Sequence, residues 1–285
     1  MPRSAELVRL CILGYLALAL LVMAVQGAPT TQIHIVKIGS DGMTVLAEKT
    51  VDYRWMMTNL PVLGDGVTHY YHQGPVFVDD KDTQWDRNET ENFKDRGAVK
   101  GTNIRNLCDL VGGMAKDDEV MVHAVDGYHV EFGYDNVYGY AARQGPMVLC
   151  WYNGEEAPVG ERQGVGYPPD YYVGIRLVFF ADTSGNSAGE HVFGNWDMHE
   201  VMPDEAIHLF DNLYPSTSGY NVKWVDEVRI YEYGYKGQKG TTVKSLGSDN
   251  KSFEGKIAQP TPAASLEFLL VILGLLPAVF LYRRT

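Results

Sequence analysis

Positive charge is scarce in this chain: 24 lysines and arginines stand against 36 aspartates and glutamates, for a formal net charge of −12. No local stripe of basic residues offsets this balance. Such a field repels a phosphate backbone, so we exclude nucleic acid as a partner. The sequence also lacks a hydrolase elbow, a P-loop and a dinucleotide-binding fingerprint, and no internal repeat at solenoid or propeller spacing stands out. These absences remove several easily recognised enzyme and repeat classes.

Cysteine is equally scarce, with three in the whole chain. Cys11 falls in an apolar N-terminal stretch, which leaves Cys108 and Cys150 for the remainder. Cys108 lies in an apolar helical pattern and Cys150 in a strand pattern, so we expect two buried free thiols. A disulfide between them is the alternative, because an oxidising exterior permits one.

The N-terminus has the order of a secretory signal peptide. Arg3 and Arg9 precede an apolar stretch over residues 10–25, and small residues follow directly. We therefore predict a signal peptide over residues 1–27 and a mature chain that begins near Ala28. An uncleaved N-terminal anchor is the alternative, although the apolar run is shorter than the ~20 residues that a spanning helix needs.

The C-terminus has the order of a membrane anchor. Residues 268–282 are apolar, and Arg283 and Arg284 follow them directly. Because positive charge stays on the cytoplasmic side, the preceding domain is expected at the extracellular face of the cell membrane, with neighbouring surface proteins as candidate partners. Residues 263–285 are predicted to be a transmembrane anchor or a C-terminal sorting signal, since this tail resembles the cleaved tails of archaeal surface proteins. Residues 236–262 are rich in Gly, Ser, Lys and Thr and are predicted to form a flexible linker.

Two tripeptides match the acceptor pattern for N-glycosylation. They start at Asn88 and Asn250. An exported glycoprotein is the expectation they support, and chance occurrence is the alternative, because such triplets are common.

Short strand patterns dominate residues 28–235, which we predict to form one domain of α+β class. Residues 31–38 alternate in polarity, and a Ser-Asp-Gly turn leads into residues 43–49, which predicts an N-terminal β-hairpin. A helix is expected over residues 102–111, because apolar residues recur there at helical spacing and a Gly-Gly pair follows. Further strands are predicted over residues 120–125, 129–132, 147–152, 175–180 and 222–233. The dipeptide Asn153-Gly154 is expected to turn a hairpin.

Six short motifs follow one another in the middle of the chain. In order they are Thr-Asn-Ile-Arg-Asn-Leu from Thr102, His123, Asp-Gly-Tyr from Asp126, Asn-Gly-Glu from Asn153, Gly-Ile-Arg-Leu-Val from Gly174 and Lys-Trp from Lys223. This ordered set resembles the molybdopterin-binding domain of the sulfite-oxidase family. The resemblance implies a sheet-rich α+β molybdopterin-binding fold, with the N-terminal hairpin as an elaboration.

The resemblance also implies cofactor contacts for His123, Arg176 and Lys223. A pterin cofactor carries a phosphate and a ring edge full of donors and acceptors, to which these side chains would offer charge-assisted hydrogen bonds. The alternatives are exposed, snorkelling side chains at Arg176 and Lys223 and a hydrogen-bonded core residue at His123.

One part of the family pattern is missing. The resemblance also includes a Gly-Ala-Val segment at residues 97–99. In that family a cysteine thiolate ahead of this segment holds molybdenum, but residues 79–96 contain no cysteine, and Cys108 and Cys150 do not match the ligand position by order. The cofactor is therefore left unassigned, with molybdopterin implied by the resemblance. These observations predict a cell-surface anchored binding or structural protein that is not catalytic. An exported oxidoreductase that depends on molybdopterin or another metal is the alternative.

His69 and His72 form the other conspicuous constellation. Imidazoles three residues apart can meet on one metal from a loop, and further ligands would have to join them in space. Packing with the adjacent Tyr70 and Tyr71 is the interpretation that we favour. The segment Gly-Asn-Trp-Asp-Met-His that ends at His199 is likewise predicted to be a turn with a buried tryptophan.

Overall fold

The computed structural model of the protein describes residues 29–158 and 160–237. The predicted signal peptide, the C-terminal anchor or sorting signal, and all but the start of the predicted linker lie outside these residues. The described residues belong to one compact unit. Within them, no helix has the length and apolar character needed to cross a membrane.

Short strands account for most of the regular structure in the described ranges. The strands are β1 (Gln32–Ile38), β2 (Val45–Asp52), β3 (Val62–Leu63), β4 (His69–Gln73), β5 (Phe93–Asn103), β6 (Glu119–Ala124), β7 (His129–Gly133), β8 (Met147–Asn153), β9 (Arg176–Phe179), β10 (His191–Phe193), β11 (Leu209–Phe210), β12 (Tyr214–Pro215) and β13 (Val225–Tyr231). The α-helices are α1 (Tyr53–Asn59), α2 (Ile104–Asp109), α3 (Tyr134–Tyr138) and α4 (Asn195–Val201). Short 3₁₀ helices lie at Thr83–Trp85, Asp204–Ala206 and Thr217–Tyr220. The α+β class predicted from the sequence is confirmed.

Five strands form the first sheet, in the order β2-β1-β13-β6-β7. The predicted N-terminal hairpin is present, because β1 pairs antiparallel with β2. It is part of the sheet and not an elaboration, since β1 also pairs in parallel with β13. Alternate residues such as Ile33, Ile35, Val228 and Ile230 are fully buried, so one face of this sheet packs against the core.

The second sheet has the order β10-β4-β5-β8-β9, and β3 pairs with β5 beside it. Its residues contribute to two apolar clusters, a large one that includes Trp151 and Phe179 and a smaller one that includes Val148 and Cys150. Strands β8 and β9 are therefore buried on both faces, which explains their nearly continuous apolar sequences. Cys108 lies in the large cluster, and both cysteines are buried free thiols.

The predicted helix over residues 102–111 is shorter than expected. Thr102 and Asn103 instead continue β5 and pair with Leu149 and Val148 of β8. The side chain of Asn103 then caps α2 by accepting a hydrogen bond from the Arg105 N–H at 2.9 Å. Sheet pairing and capping thus set where the helix begins.

The predicted hairpin at Asn153-Gly154 is wrong. The antiparallel partners of β8 are β5, earlier in the chain, and β9, which begins more than twenty residues further along. Asn153 exchanges backbone hydrogen bonds with Gly166 instead, and the Gly154 N–H donates to the Ala98 carbonyl at 2.7 Å. A Cβ atom at Gly154 would lie 1.9 Å from the Gly66 carbonyl oxygen, so glycine here allows two backbone segments to approach.

The predicted turn before His199 is also wrong, because these residues form helix α4. Its tryptophan, Trp196, is only half-buried and stacks on the His199 ring with centroids 4.6 Å apart. Two of its buried positions are polar: the Asn195 amide donates to the Gly74 carbonyl, and the Asp197 carboxylate accepts from the Gly194 N–H. Met198 is also buried, in the large apolar cluster, so both polar contacts and apolar packing hold this helix in place.

Candidate anion-binding site

A cavity of about 640 Å³ opens at one end of β4 and β5. Strand β5 contributes Lys94, Asp95 and Arg96, and the other sides are closed by residues 158, 160 and 161 and by residues between 208 and 223. Three aromatic residues, Tyr71, Phe93 and Phe210, also line the cavity. The pairing of β5 with β4 is irregular between Asp95 and Ala98, which lets three successive residues of β5 line one cavity.

Arg96 is the buried cation of β5, with 6% of its surface exposed. Its Nη2 donates a hydrogen bond to Ser218 Oγ at 2.8 Å. Its Nε is buried and finds no acceptor among the described residues. One donor of this guanidinium is therefore left without a partner, which is costly away from water.

Arg176, the first residue of β9, is fully buried and lies beside the same site. Its Nη1 donates to Gln163 Oε1 at 2.6 Å, and its Nε donates to Asn221 Oδ1. Gln163 Nε2 in turn donates to the Asp95 carbonyl at 3.0 Å, so the amide joins Arg176 to β5 next to Arg96. The alternative of an exposed, snorkelling Arg176 is wrong.

The carboxylate of Glu161 lies between Lys223 and Arg176. Lys223 Nζ lies 2.5 Å from Glu161 Oε1, and Arg176 Nη2 lies 3.7 Å from Glu161 Oε2. Although burial acts to raise it, the pKa of Glu161 is lowered, because Lys223 donates a hydrogen bond and the charges of Lys223, Arg176 and Arg96 attract the carboxylate. The structure thus brings together two of the three residues that the resemblance implied, Arg176 and Lys223.

The site has more positive than negative charge, although the chain as a whole is acidic. The cations are Lys94, Arg96, Arg176 and Lys223, and the carboxylates are Asp95 and Glu161. Burial and the nearby charge of Arg176 lower the pKa of the Arg96 guanidinium, so its charge is held at a cost in free energy. Because a guanidinium stays protonated in proteins, this local excess of positive charge would favour the binding of an anion.

His123 lies outside this site. It is on β6, on the solvent side of the first sheet, and its Nδ1 lies 2.8 Å from Asp226 Oδ1. Its side chain is 19% exposed, while the neighbouring Val122 and Ala124 point into the core. His123 therefore does not lie at the cavity that Lys223 lines, and the pterin contact that the resemblance implied for it stays a prediction.

His69 and His72 occupy different environments on β4. His69 Nδ1 lies 2.9 Å from an Asp95 carboxylate oxygen at the edge of the cavity. His72 is fully buried between the rings of Phe179 and Phe193, and its Nε2 accepts a hydrogen bond from the Phe179 N–H at 3.2 Å.

Burial lowers the pKa of His72 well below its ordinary value, and the charges of two arginines, Arg96 and Arg176, lower it further. The ring is therefore neutral at physiological pH. In the described ranges, no group of three or more His, Cys, Asp or Glu side chains is placed to hold a metal. Metal binding by His69 and His72 stays a prediction.

Sequence reasoning missed four polar residues of the site. They are Arg96, Glu161, Gln163 and Asn221. A signal existed for the arginine, since it directly precedes the Gly-Ala-Val segment and lies two residues from a lysine. The other three come from irregular segments whose partners are distant in sequence, and no local pattern marks them.

The cavity residues fit the phosphate of a molybdopterin cofactor but include no thiolate ligand for its metal. Buried guanidiniums with an unpartnered donor match phosphate oxygens. The thiols of Cys108 and Cys150 lie in the apolar clusters and do not line the cavity, and burial raises the pKa of both. The described residues therefore fit an anionic group but offer no thiolate to a metal there.

Comparison with known proteins adds a weak structural similarity. No protein-family model matches the chain, and no curated protein sequence matches it. Among solved structures, the chain is similar to the sulfane dehydrogenase SoxCD from Paracoccus pantotrophus, with a TM-score of 0.35 and 12% identity over 71% of this chain. The match covers 38% of that chain.

Proposed function

We propose that this protein is a binding module at the cell surface whose cavity takes a small anionic ligand. The observation that carries the proposal is the pair of buried guanidiniums, Arg96 and Arg176, beside the half-exposed Lys223 in an otherwise acidic protein. The location at the surface rests on the sequence patterns of the two chain ends.

A buried cation is destabilising unless it is paired, and two neighbouring guanidiniums raise each other's cost. Arg176 Nη2 faces the carboxylate of Glu161, but the oxygen lies beyond hydrogen-bond distance. An anion that enters the cavity gains charge-assisted hydrogen bonds, and the acidic surface elsewhere restricts such binding to this place.

The test measures anion binding by the purified full-length chain. We expect sulfate or inorganic phosphate to bind by calorimetry and to raise the melting temperature at low ionic strength. Replacement of Lys223 by alanine is expected to weaken binding about tenfold, because one charge-assisted hydrogen bond is lost. Lys116→Ala removes the same charge at an exposed position away from the cavity and serves as the control. Absence of binding to the wild-type protein at millimolar anion would contradict the proposal.

A second candidate is an exported oxidoreductase that uses molybdopterin or another metal. The order of the sequence motifs supports a sulfite-oxidase-like molybdopterin-binding fold, and the meeting of Arg176 and Lys223 at one cavity agrees with a phosphate-bearing cofactor. Metal and pterin analysis of the protein purified from its native cells separates the two functions. Stoichiometric molybdenum or tungsten with releasable pterin would establish the second function, whereas a protein free of both would rule it out.

A further inference from the structure

We infer that Glu161 is an internal stand-in for the ligand: its carboxylate occupies the cation cluster in the free protein, and an entering oxyanion displaces it. The inference rests on the proposed anion-binding function. It adds a competing group that lowers the affinity of the site and sets which anions enter it.

The first support is the position of the carboxylate. Glu161 lines the cavity, with one oxygen on Lys223 Nζ at 2.5 Å and the other facing Arg176 Nη2 at 3.7 Å. Arg96 also attracts it, and together the three cations lower its pKa. A charged ligand that binds these cations must meet the same nitrogen atoms.

The second support is that the carboxylate satisfies the cluster only in part. The 3.7 Å separation is too long for a hydrogen bond, so Arg176 Nη2 has no acceptor among the described residues, and neither has Arg96 Nε. One carboxylate also carries a single negative charge, against three cations. A free oxyanion with two charges and oxygens in several directions gains more from the same site.

The third support is that Glu161 can leave without disturbing the site. Its side chain is 49% exposed, and the preceding Gly160 has open space around it. The chain beyond it is held separately, because Glu156 accepts hydrogen bonds from the backbone N–H groups of Gln163 and Gly164. Rotation of one side chain is therefore enough to clear the cations, while Gln163 keeps its contact with Arg176.

The neighbouring Glu155 provides a matched control on the same segment. It is 70% exposed, and its carboxylate lies 3.8 Å from His69 Nε2. Its replacement by glutamine removes the same charge from the same loop without touching Lys223 or the guanidiniums.

The experiment compares wild-type protein with Glu161→Gln and Glu155→Gln, as full-length chains titrated with sulfate at low, constant chloride concentration. We expect Glu161→Gln to bind sulfate about tenfold more tightly, because a competing negative charge is gone, and Glu155→Gln to stay within about twofold of wild type. Without sulfate, Glu161→Gln is expected to melt at a lower temperature than wild type. Saturating sulfate is expected to raise its melting temperature by more than that of wild type.

The outcomes separate this inference from the proposed function. Equal sulfate affinity in wild type and Glu161→Gln overturns the stand-in role and leaves anion binding intact. Absence of sulfate binding in every variant overturns the proposed function itself. If Glu161→Gln does not fold, Glu161→Asp decides: the shorter side chain withdraws the carboxylate from Lys223, so sulfate affinity rises if the inference holds and stays unchanged if it fails.

Discussion

A buried acid pair predicts that this protein loses stability as the pH rises. Glu89 is fully buried in the loop after the first 3₁₀ helix, and its carboxyl group meets Asp197 of helix α4. A Cβ atom at Gly194 would lie 2.3 Å from the carboxyl carbon of Glu89, so the group fills a tight space. Burial, with the hydrogen bond and the charge of Asp197, raises the pKa of Glu89 to about 9. Glu89 therefore carries the shared proton at neutral pH, and Arg143 Nη1, 3.3 Å from Asp197, balances the remaining charge.

The sign and size of the effect follow from proton linkage. The ordinary pKa of Glu89 is 4.5, so between about pH 4.5 and 9 the folded protein binds a proton that the unfolded chain has lost. Its stabilising contribution is fully present below pH 4.5 and is lost as the pH rises through the folded pKa. The slope is about 1.4 kcal/mol per pH unit, which gives roughly 3 kcal/mol between pH 5.5 and 8.

Replacement of Glu89 by glutamine tests this reasoning. The amide has nearly the same shape and donates a hydrogen bond to Asp197 without needing a titrating proton. We expect the free energy of unfolding of Glu89→Gln, measured by urea denaturation, to exceed that of wild type by up to about 3 kcal/mol at pH 8 and to approach it near pH 5. Glu91→Gln, at an exposed position on the same loop, is the control and should follow the wild-type profile. Parallel pH profiles for Glu89→Gln and wild type would refute the assignment of the proton to Glu89.

Local sequence patterns predicted the elements whose partners lie close in the chain. The hairpin of β1 and β2 and the pair of β6 and β7 follow from alternating polarity and short turns, and both are present. The failures have long-range causes. Asn153-Gly154 has hairpin chemistry, but its backbone groups are taken by Gly166 and Ala98, which lie far from it in sequence. Helix α4 was not predicted, because its sequence is largely polar. Its Asn195 is held by contacts with Gly74 and Thr217, which lie far from it in sequence.

The candidate site was likewise predicted only in part, because its residues meet through contacts that are distant in sequence. Arg176 and Lys223 were found because they belong to motifs that resemble a known family, and not because any local pattern showed that they meet. Their meeting depends on Glu161 and Gln163 from an irregular segment between β8 and β9. A buried arginine on a strand also looks, in sequence, like an exposed one at a strand end, since only the fold reveals that β9 is covered on both faces.

Two further predictions concern the chain ends and the histidine pair. Protease added to intact cells should cut first within residues 236–262, which are poor in apolar residues, and recovery of an uncut domain from the cytoplasm would contradict the extracellular location. Replacement of both His69 and His72 by alanine should lower the free energy of unfolding by about 2–4 kcal/mol, since it removes a buried ring from between Phe179 and Phe193 and the contact of His69 with Asp95. The loss should be the same with and without a chelator, because the two imidazoles lie in different environments and a metal bound by both would add stabilisation only when present. Thermal melts decide this: a chelator that lowers the wild-type melting temperature by several degrees, and leaves the double variant unmoved, would show that the pair binds a metal.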